Sequence, residues 1–497
     1  MRPLRVPVAL AMLATLVLAG TAAAAAPVVP VPGDPAPLAP AFVGHAAKPR
    51  PMTAPAVPQH PFMAANPGNN IHDDAYMTDT YPGSGPLGKA PTVSSTLYGA
   101  ECASVTFDAK GRIVTVCVGL GTVTLRLLAP DTLEELASYD LPNRRINPSG
   151  SFNDFTGGGY FYLDHRDRAV VPTTRNHLYV VAQTAGPGFR LARDYDLTGD
   201  IGTEDKIVSV IPDWSGRLVF VTAAGVVGAV EPDSGEVRTL DLGEVVANSI
   251  AVDDDGGVYV ATAKAMYRID VTRAGRPAVT WREVYDNSGQ VKPGQVSSGS
   301  GTTPTVMGKQ WVAITDNADP MQVVVYRRAP SLRGNRQVCE IPVFSKGASA
   351  TENSLVGAGR TIIVTNNHGY TGPTATTAGG VTSPGIERVD IDRDGRGCHR
   401  VWRNTDHRSP SSVPKLALGN GLFYTVTKDP VLQDPLGIED AWYLSAFDAR
   451  TGRLVYKVRY GTGLGYNVNY APVTIGPDES TAYVGVLGGL VRISDSD

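Results

Sequence analysis

The side chains best suited to chemistry in this chain are oxygen donors gathered in short polar runs. Glu352, Asn353, Asn366 and Asp316 are hard ligands of the kind Ca²⁺ or Mg²⁺ takes, and His368 could act beside them as a base or a further ligand. With Glu352 and His368 as the candidate catalytic groups, such a set would support metal-assisted hydrolysis. A second oxygen series, Asp194, Asp196, Thr198, Asp200 and Asp205 (DYDLTGDIGTED), follows the spacing of an EF-hand loop with Asp where Glu is usual. No helices are expected to flank it, so calcium there would be structural. Asp390, Asp392 and Asp394 start the same way but place Val401 at the twelfth position, which reads as a hairpin turn. Nucleophile patterns do poorly: no Gly-x-Ser-x-Gly elbow, HExxH or CxxC is present.

These residues need a scaffold, and the scaffold is written as a repeat. From residue 91 onward, short runs rich in Val, Ile, Thr and Tyr alternate with Asp-Gly, Ser-Gly and Thr-Gly turns, the pattern of antiparallel strands joined in hairpins. First strands of successive units fall near Cys102, Gly159, Ile207, Ser249, Thr303, Asn353, Pro414 and Ala471, at intervals of 57, 48, 42, 54, 50, 61 and 57 residues. Four-stranded units at that pitch predict an all-β, single eight-bladed β-propeller over 91–497, with seven blades as the alternative. The last unit stops after three strands, so Thr92 to Tyr98 is expected to supply the fourth and close the ring.

In that architecture the approaches to first strands and the loops between second and third strands share one face. Asn153, Asp154, Asn248, Ser300, Thr302, Asn353, Lys415, Asn469 and Tyr470 fall in the former, and Asp316, Asn317 and Asn367 in the latter. Their convergence would make a polar ligand site at the central mouth. The competing explanation is that Asn, Asp and Ser merely satisfy loop backbone.

Four Cys suggest two disulfides. Centring the first hairpin turn between Ala109 and Lys110 places Cys102 across from Cys117, while Cys339 and Cys398 open outer strands of neighbouring units. The N-terminal region agrees with export. Arg2 and Arg5, an apolar run from Val8 to Leu18 and small residues from Ala22 to Ala26 form a signal-peptide pattern over 1–25. Residues 26–67 then hold twelve prolines and read as a disordered, unpacked linker, and 68–90 as an irregular extension lying over the folded body. The formal charge is −4, which gives no footprint for nucleic acid or an anionic membrane, and no later segment reaches spanning length. The expected partner is a small-molecule or polymeric ligand, with the chain a secreted or envelope monomer; a protein-interaction scaffold is the remaining class.

The run FDARTGRLVYKVRYG (Phe447 to Gly461) resembles the repeat of quinoprotein dehydrogenases, with APDTLEELASYDL and VEPDSGEVRTLDL as weaker copies. The whole looks like an uncharacterised exported bacterial member of the quinoprotein (alcohol dehydrogenase-like) propeller superfamily. That resemblance implies architecture rather than activity. Quinone enzymes of the class use adjacent Cys and a stacking Trp, and here no two Cys are adjacent and the five Trp fall mainly at strand positions. Pyrroloquinoline quinone is therefore not expected, and Ca²⁺ is the one cofactor the residues suggest. A loose similarity to metal-dependent lactonase propellers covers residue types and face only.

Overall fold

The computed structural model describes residues 28–30, 39–144, 154, 156–429 and 440–496. The signal-peptide pattern and Asn153 lie outside them. Eight antiparallel sheets follow one another around a ring: blade 1 spans 101–141, blade 2 162–196, blade 3 207–241, blade 4 251–284, blade 5 305–342, blade 6 356–404 and blade 7 415–462. Blade 8 combines the three C-terminal strands from 473 to 494 with Thr92–Leu97, which pairs with Gly489–Ser494 in the register Val491 to Ser95. The ring is thus closed as the truncated last repeat requires, and Val28–Pro30 adds a further strand outside Thr92–Leu97.

Blade packing explains the sequence pattern. Second strands such as Leu218–Thr222 and Thr361–Thr365 are buried throughout, because neighbouring blades cover both sheet faces. They therefore read as unbroken apolar runs. Outermost strands such as Val237–Asp241 face solvent and carry polar residues. The turns between first and second strands repeat one device. In blades 1 to 4 the carboxylates of Asp108, Asp164, Asp213 and Asp253 each accept the backbone N–H groups two and four residues on, at 2.8–3.0 Å.

Both disulfides form, Cys102–Cys117 with Cα atoms 3.9 Å apart and Cys339–Cys398 with 5.8 Å. The first hairpin turn is centred half a residue later than the sequence suggests, pairing Ser104 with Val116. A bulge at Ala103 then shifts the register and brings Cys102 opposite Cys117. Cys339 and Cys398 join the outermost strands of blades 5 and 6 at the rim.

The N-terminal region differs most from expectation. Residues 39–67 are not an unpacked linker: Phe42–Gly44 pairs with the outer strand of blade 7, and Arg50 and Met52 donate to the carbonyls of Asn420 and Leu418 in that blade's lower turn. The chain then crosses the lower face to blade 2, where Ala64 donates to Leu163 at 2.9 Å. Prolines lack a donor but leave their carbonyls and neighbours free to pair, so an extended Pro-rich strand can lie along turns without a sheet of its own.

Residues 68–81 do not lie over the body either; they fill the central channel. Backbone N–H groups of Phe107, Leu163, Val252, Val306, Gly357 and Leu416 donate to the carbonyls of Gly68, Asn69, Ala75, Tyr76, Thr78 and Asp79. Those donors come from blades 1, 2, 4, 5, 6 and 7, so the plug follows the ring in order. Thr80–Tyr81 ends it as a parallel strand beside Lys415–Ala417. Within the plug, Lys415 reaches Asp79 at 2.6 Å, Asp73 at 3.2 Å and the carbonyl of Ile71 at 2.8 Å, and His72 meets Asp79 at 2.9 Å. The two carboxylates outweigh burial and hold the Lys415 ammonium above its usual range. Lys415→Met would leave Asp73 and Asp79 enclosed without their cation, and should lower the free energy of unfolding by about 3–5 kcal/mol. Urea titration checks this; a loss under about 1 kcal/mol would mean that the ion cluster does not hold the plug.

Candidate functional site

Above the plug the ring opens into a cavity of about 360 Å³ on the face where first strands begin. Its floor is Ile71 from the plug, and Ala100, Val118, Leu120, Val413 and Leu487 make much of its wall apolar. Of the residues predicted to meet here, Asp154, Asn248, Glu352, Asn469 and Tyr470 do line it. Glu101, Arg144 and Tyr160 line it too, and nothing in their local sequence singles them out. Glu101 is the first residue of the blade 1 inner strand, one position before the cysteine that marks that repeat.

Two carboxyl groups dominate the cavity. Glu352 accepts the Val296 N–H at 2.9 Å and the Asn248 amide at 3.4 Å. Glu101 accepts the Asn469 amide at 3.1 Å. Tyr160 and Tyr370 donate to the amide oxygens of Asn248 and Asn469, at 3.3 and 3.0 Å, which turns the NH₂ ends toward the acids. Removal from water pushes both carboxyls up to about 8, against the opposing hydrogen bonds. Burial likewise raises the phenols of Tyr160 and Tyr470, with the Glu352 charge adding to it, so both stay neutral. At the rim, burial pushes Asp154 upward, but Lys206 at 2.7 Å and Thr156 outweigh it and hold the carboxyl below its usual range. Arg144 donates to the Asp154 carbonyl at 3.1 Å.

The other predicted residues serve the scaffold. Lys415 is the anchor of the plug and does not line the mouth. Thr302 accepts the Thr315 N–H at 3.0 Å, and Ser300 donates its own N–H to the Tyr285 hydroxyl at 2.9 Å. Asn317 donates to the carbonyls of Gln290 and Ser298, and Asn367 to that of Gly294. Asn353 donates to Thr365 at 3.0 Å.

The members of the proposed metal set each have scaffold partners of their own. Glu352 is held by Val296 and Asn248, whereas Asp316 accepts the N–H groups of Gln322 and Ala318, and burial raises it to about 7. Asn366 donates to the carbonyls of Ala348 and Pro384, and His368 meets Ser383 at 3.2 Å away from the mouth. The EF-hand-like series is likewise engaged locally. Asp194 and Asp196 belong to the outer strand Phe189–Asp196, where Asp194 meets His177 at 2.7 Å. Asp196 caps Thr198, and Asp205 accepts the N–H groups of Lys206 and Ala224. Two residues apart on the strand, Asp194 and Asp196 share one face and both meet His177, whereas Asp205 is turned to Lys206 and Ala224. Among the described residues no three His, Cys, Asp or Glu side chains gather at a point that could hold a metal.

A second groove, about 730 Å³, lies on the lower face between residues 51–58 and the turns of blades 5 to 7. Within it Arg388 pairs with Asp390, and Arg450 donates to the Arg50 and Pro51 carbonyls.

No family model matches the chain. It is 27% identical over 405 residues to a protein of Archaeoglobus fulgidus described as uncharacterised, covering 73% of this chain and 76% of that protein. Among solved structures it is similar to BamB from Moraxella catarrhalis, with a TM-score of 0.47 and 12% identity over 84% of this chain and 94% of that one. The computationally designed Ika8 protein gives a TM-score of 0.48 and 12% identity, covering 80% and 98%.

Glu101 and Glu352 make stability depend on pH in a defined sense. Their folded values, about 8, lie above the ordinary 4.5, so between those limits the folded chain keeps protons that the unfolded chain releases. Stability should therefore fall as pH rises from 5 to 8, by at most about 1.4 kcal/mol per pH unit for each group. Glu352→Gln should flatten this slope, measured as unfolding midpoints at both pH values. An unchanged slope would show that Glu352 titrates normally.

Proposed function

We propose that this chain is a ligand-binding propeller that takes a small molecule into the blind mouth above its plug. The observation that carries this reading is the combination of a mostly apolar cavity with a few fixed polar groups: Glu101, Glu352, Asn248 and Asn469 around walls of Leu, Val and Ala. Ligand pockets have this make-up, apolar surface for affinity and sparse polar groups for orientation. The volume suits a compound of modest size.

We place its site of action in an oxidising compartment, supported by two disulfides and the absence of a free Cys among the described residues. The basic and apolar N-terminal pattern supports export. Among the described residues no helix is long and apolar enough to cross a membrane. The Phe447 to Gly461 repeat supports membership of the quinoprotein-like propeller class, taken here as an architectural kinship.

The test is a fragment panel observed by ligand NMR against the full chain. Leu120 stands on the mouth wall and is 61% exposed, so Leu120→Trp should fill the opening without disturbing the core. Mouth ligands should lose at least about tenfold in affinity, equivalent to about 1.4 kcal/mol. Hits indifferent to this substitution, or no hits at all, would sink the reading.

A further inference from the structure

We propose that the mouth is a receptor for an organic ammonium ion, a primary aliphatic amine or diamine whose alkyl body lies on the apolar walls while its charged ends meet Glu101 and Glu352. This rests on the reading of the mouth as a ligand site and names the class of ligand.

The first support is hydrogen-bond polarity. The groups that hold the two carboxyls are donors: the Val296 N–H and the Asn248 amide at Glu352, the Asn469 amide at Glu101. Tyr160 and Tyr370 fix those amides with NH₂ toward the acids. Such a shell suits carboxylate oxygens. The second is missing charge. Among the described residues neither glutamate forms an ion pair, although both line an enclosed cavity where an isolated carboxylate is costly. Arg144, the cation that lowers Glu101, sits against Asp154, as does Lys206. Among the described residues the other ionisable neighbours are phenols, Tyr160 and Tyr470 toward Glu352 and Tyr370 toward Glu101, all held neutral by burial. Among the described residues no cation pairs with either carboxyl, and an ammonium ligand would supply that charge.

The third is placement. Glu101 belongs to blade 1 and Glu352 to the approach to blade 6, with blades 7 and 8 between them. The carboxyls reach the cavity from separate parts of the ring, which matches two ends of one molecule better than a single ion. Ile71, Val118 and Val413 supply apolar surface for the methylenes. As an ammonium group arrives, the facing carboxyl's O–H bond breaks, its proton passes to the buffer base and the ion pair forms; no other covalent bond changes.

Calorimetry with 1,4-diaminobutane, 1-aminobutane and 1,4-butanediol tests this on the full chain at pH 7. The diamine should bind, the monoamine more weakly, and the diol not at all. The diamine's heat should vary with the ionisation enthalpy of the buffer, reporting proton release. Glu101→Gln and Glu352→Gln should each weaken diamine binding at least tenfold, and together abolish it. Both variants should melt at or above the parent temperature at pH 8, which separates lost binding from lost folding. The inference is overturned if the diamine fails to bind, if the diol binds as well, or if both substitutions leave diamine affinity unchanged. If uncharged fragments still bind and Leu120→Trp still blocks them, only the amine assignment fails; if nothing responds to Leu120→Trp, the mouth itself is not the site.

Discussion

A closed ring of blades leaves one problem unsolved at its centre: the innermost strands present a cylinder of unpaired backbone groups. Residues 68–81 answer it. Their carbonyls accept N–H groups from inner strands of six blades in ring order, and Thr80–Tyr81 runs as a parallel strand along the inner edge of blade 7. Buried backbone donors without partners cost free energy comparable to a lost hydrogen bond, so the plug satisfies the scaffold as much as it fills space. The charge cluster of Lys415 with Asp73 and Asp79 then pins the segment to blade 7.

The mouth depends on the plug. An open channel would expose Glu101 and Glu352 to water from both sides, and their carboxyls would ionise in the ordinary range. With Ile71 as a floor, water enters from one face alone and the local dielectric falls. Burial then becomes the largest influence on both acids. A short N-terminal stretch of chain thereby sets the electrostatics of side chains at the start of blade 1 and the approach to blade 6.

The propeller was legible because its signals are local. Hairpin turns, runs such as LVFVT and a last unit short of one strand need no knowledge of distant partners, and Thr92–Leu97 closes blade 8 in the expected way. The plug was not legible, because Asn69, His72, Asp73, Asp74 and Asp79 have the composition of an exposed loop. Here they are buried: Asp74 accepts from Tyr76 and Thr78, His72 meets Asp79, and Asp73 and Asp79 meet Lys415, a cation that only the assembled ring supplies. The Pro-rich stretch misled for a related reason, since lack of propensity for regular structure does not prevent docking on turns. Many of the polar residues chosen for the mouth are loop staples, as Asn317 and Asn366 are. Loop carbonyls already consume their amides.

Glu101 shows how a small irregularity aims a side chain. Along most of the first hairpin the strands pair without interruption from Phe107 opposite Ile113 to Ser104 opposite Val116. Continued unchanged, that register would set Cys102 opposite Val118 and leave the two sulfurs out of line. The bulge at Ala103 inserts one residue, so Cys102 faces Cys117 and Glu101 faces Val118. Bulges bend a strand and re-aim the side chains beyond the bend, and here Glu101, Ala103 and Val118 all come to the mouth while Cys102 lies between the first two in sequence. The covalent bond fixes the register that turns the carboxyl inward. Structural stabilisation of blade 1 and orientation of the mouth acid are therefore one constraint, and the disulfide belongs to the site as well as to the fold.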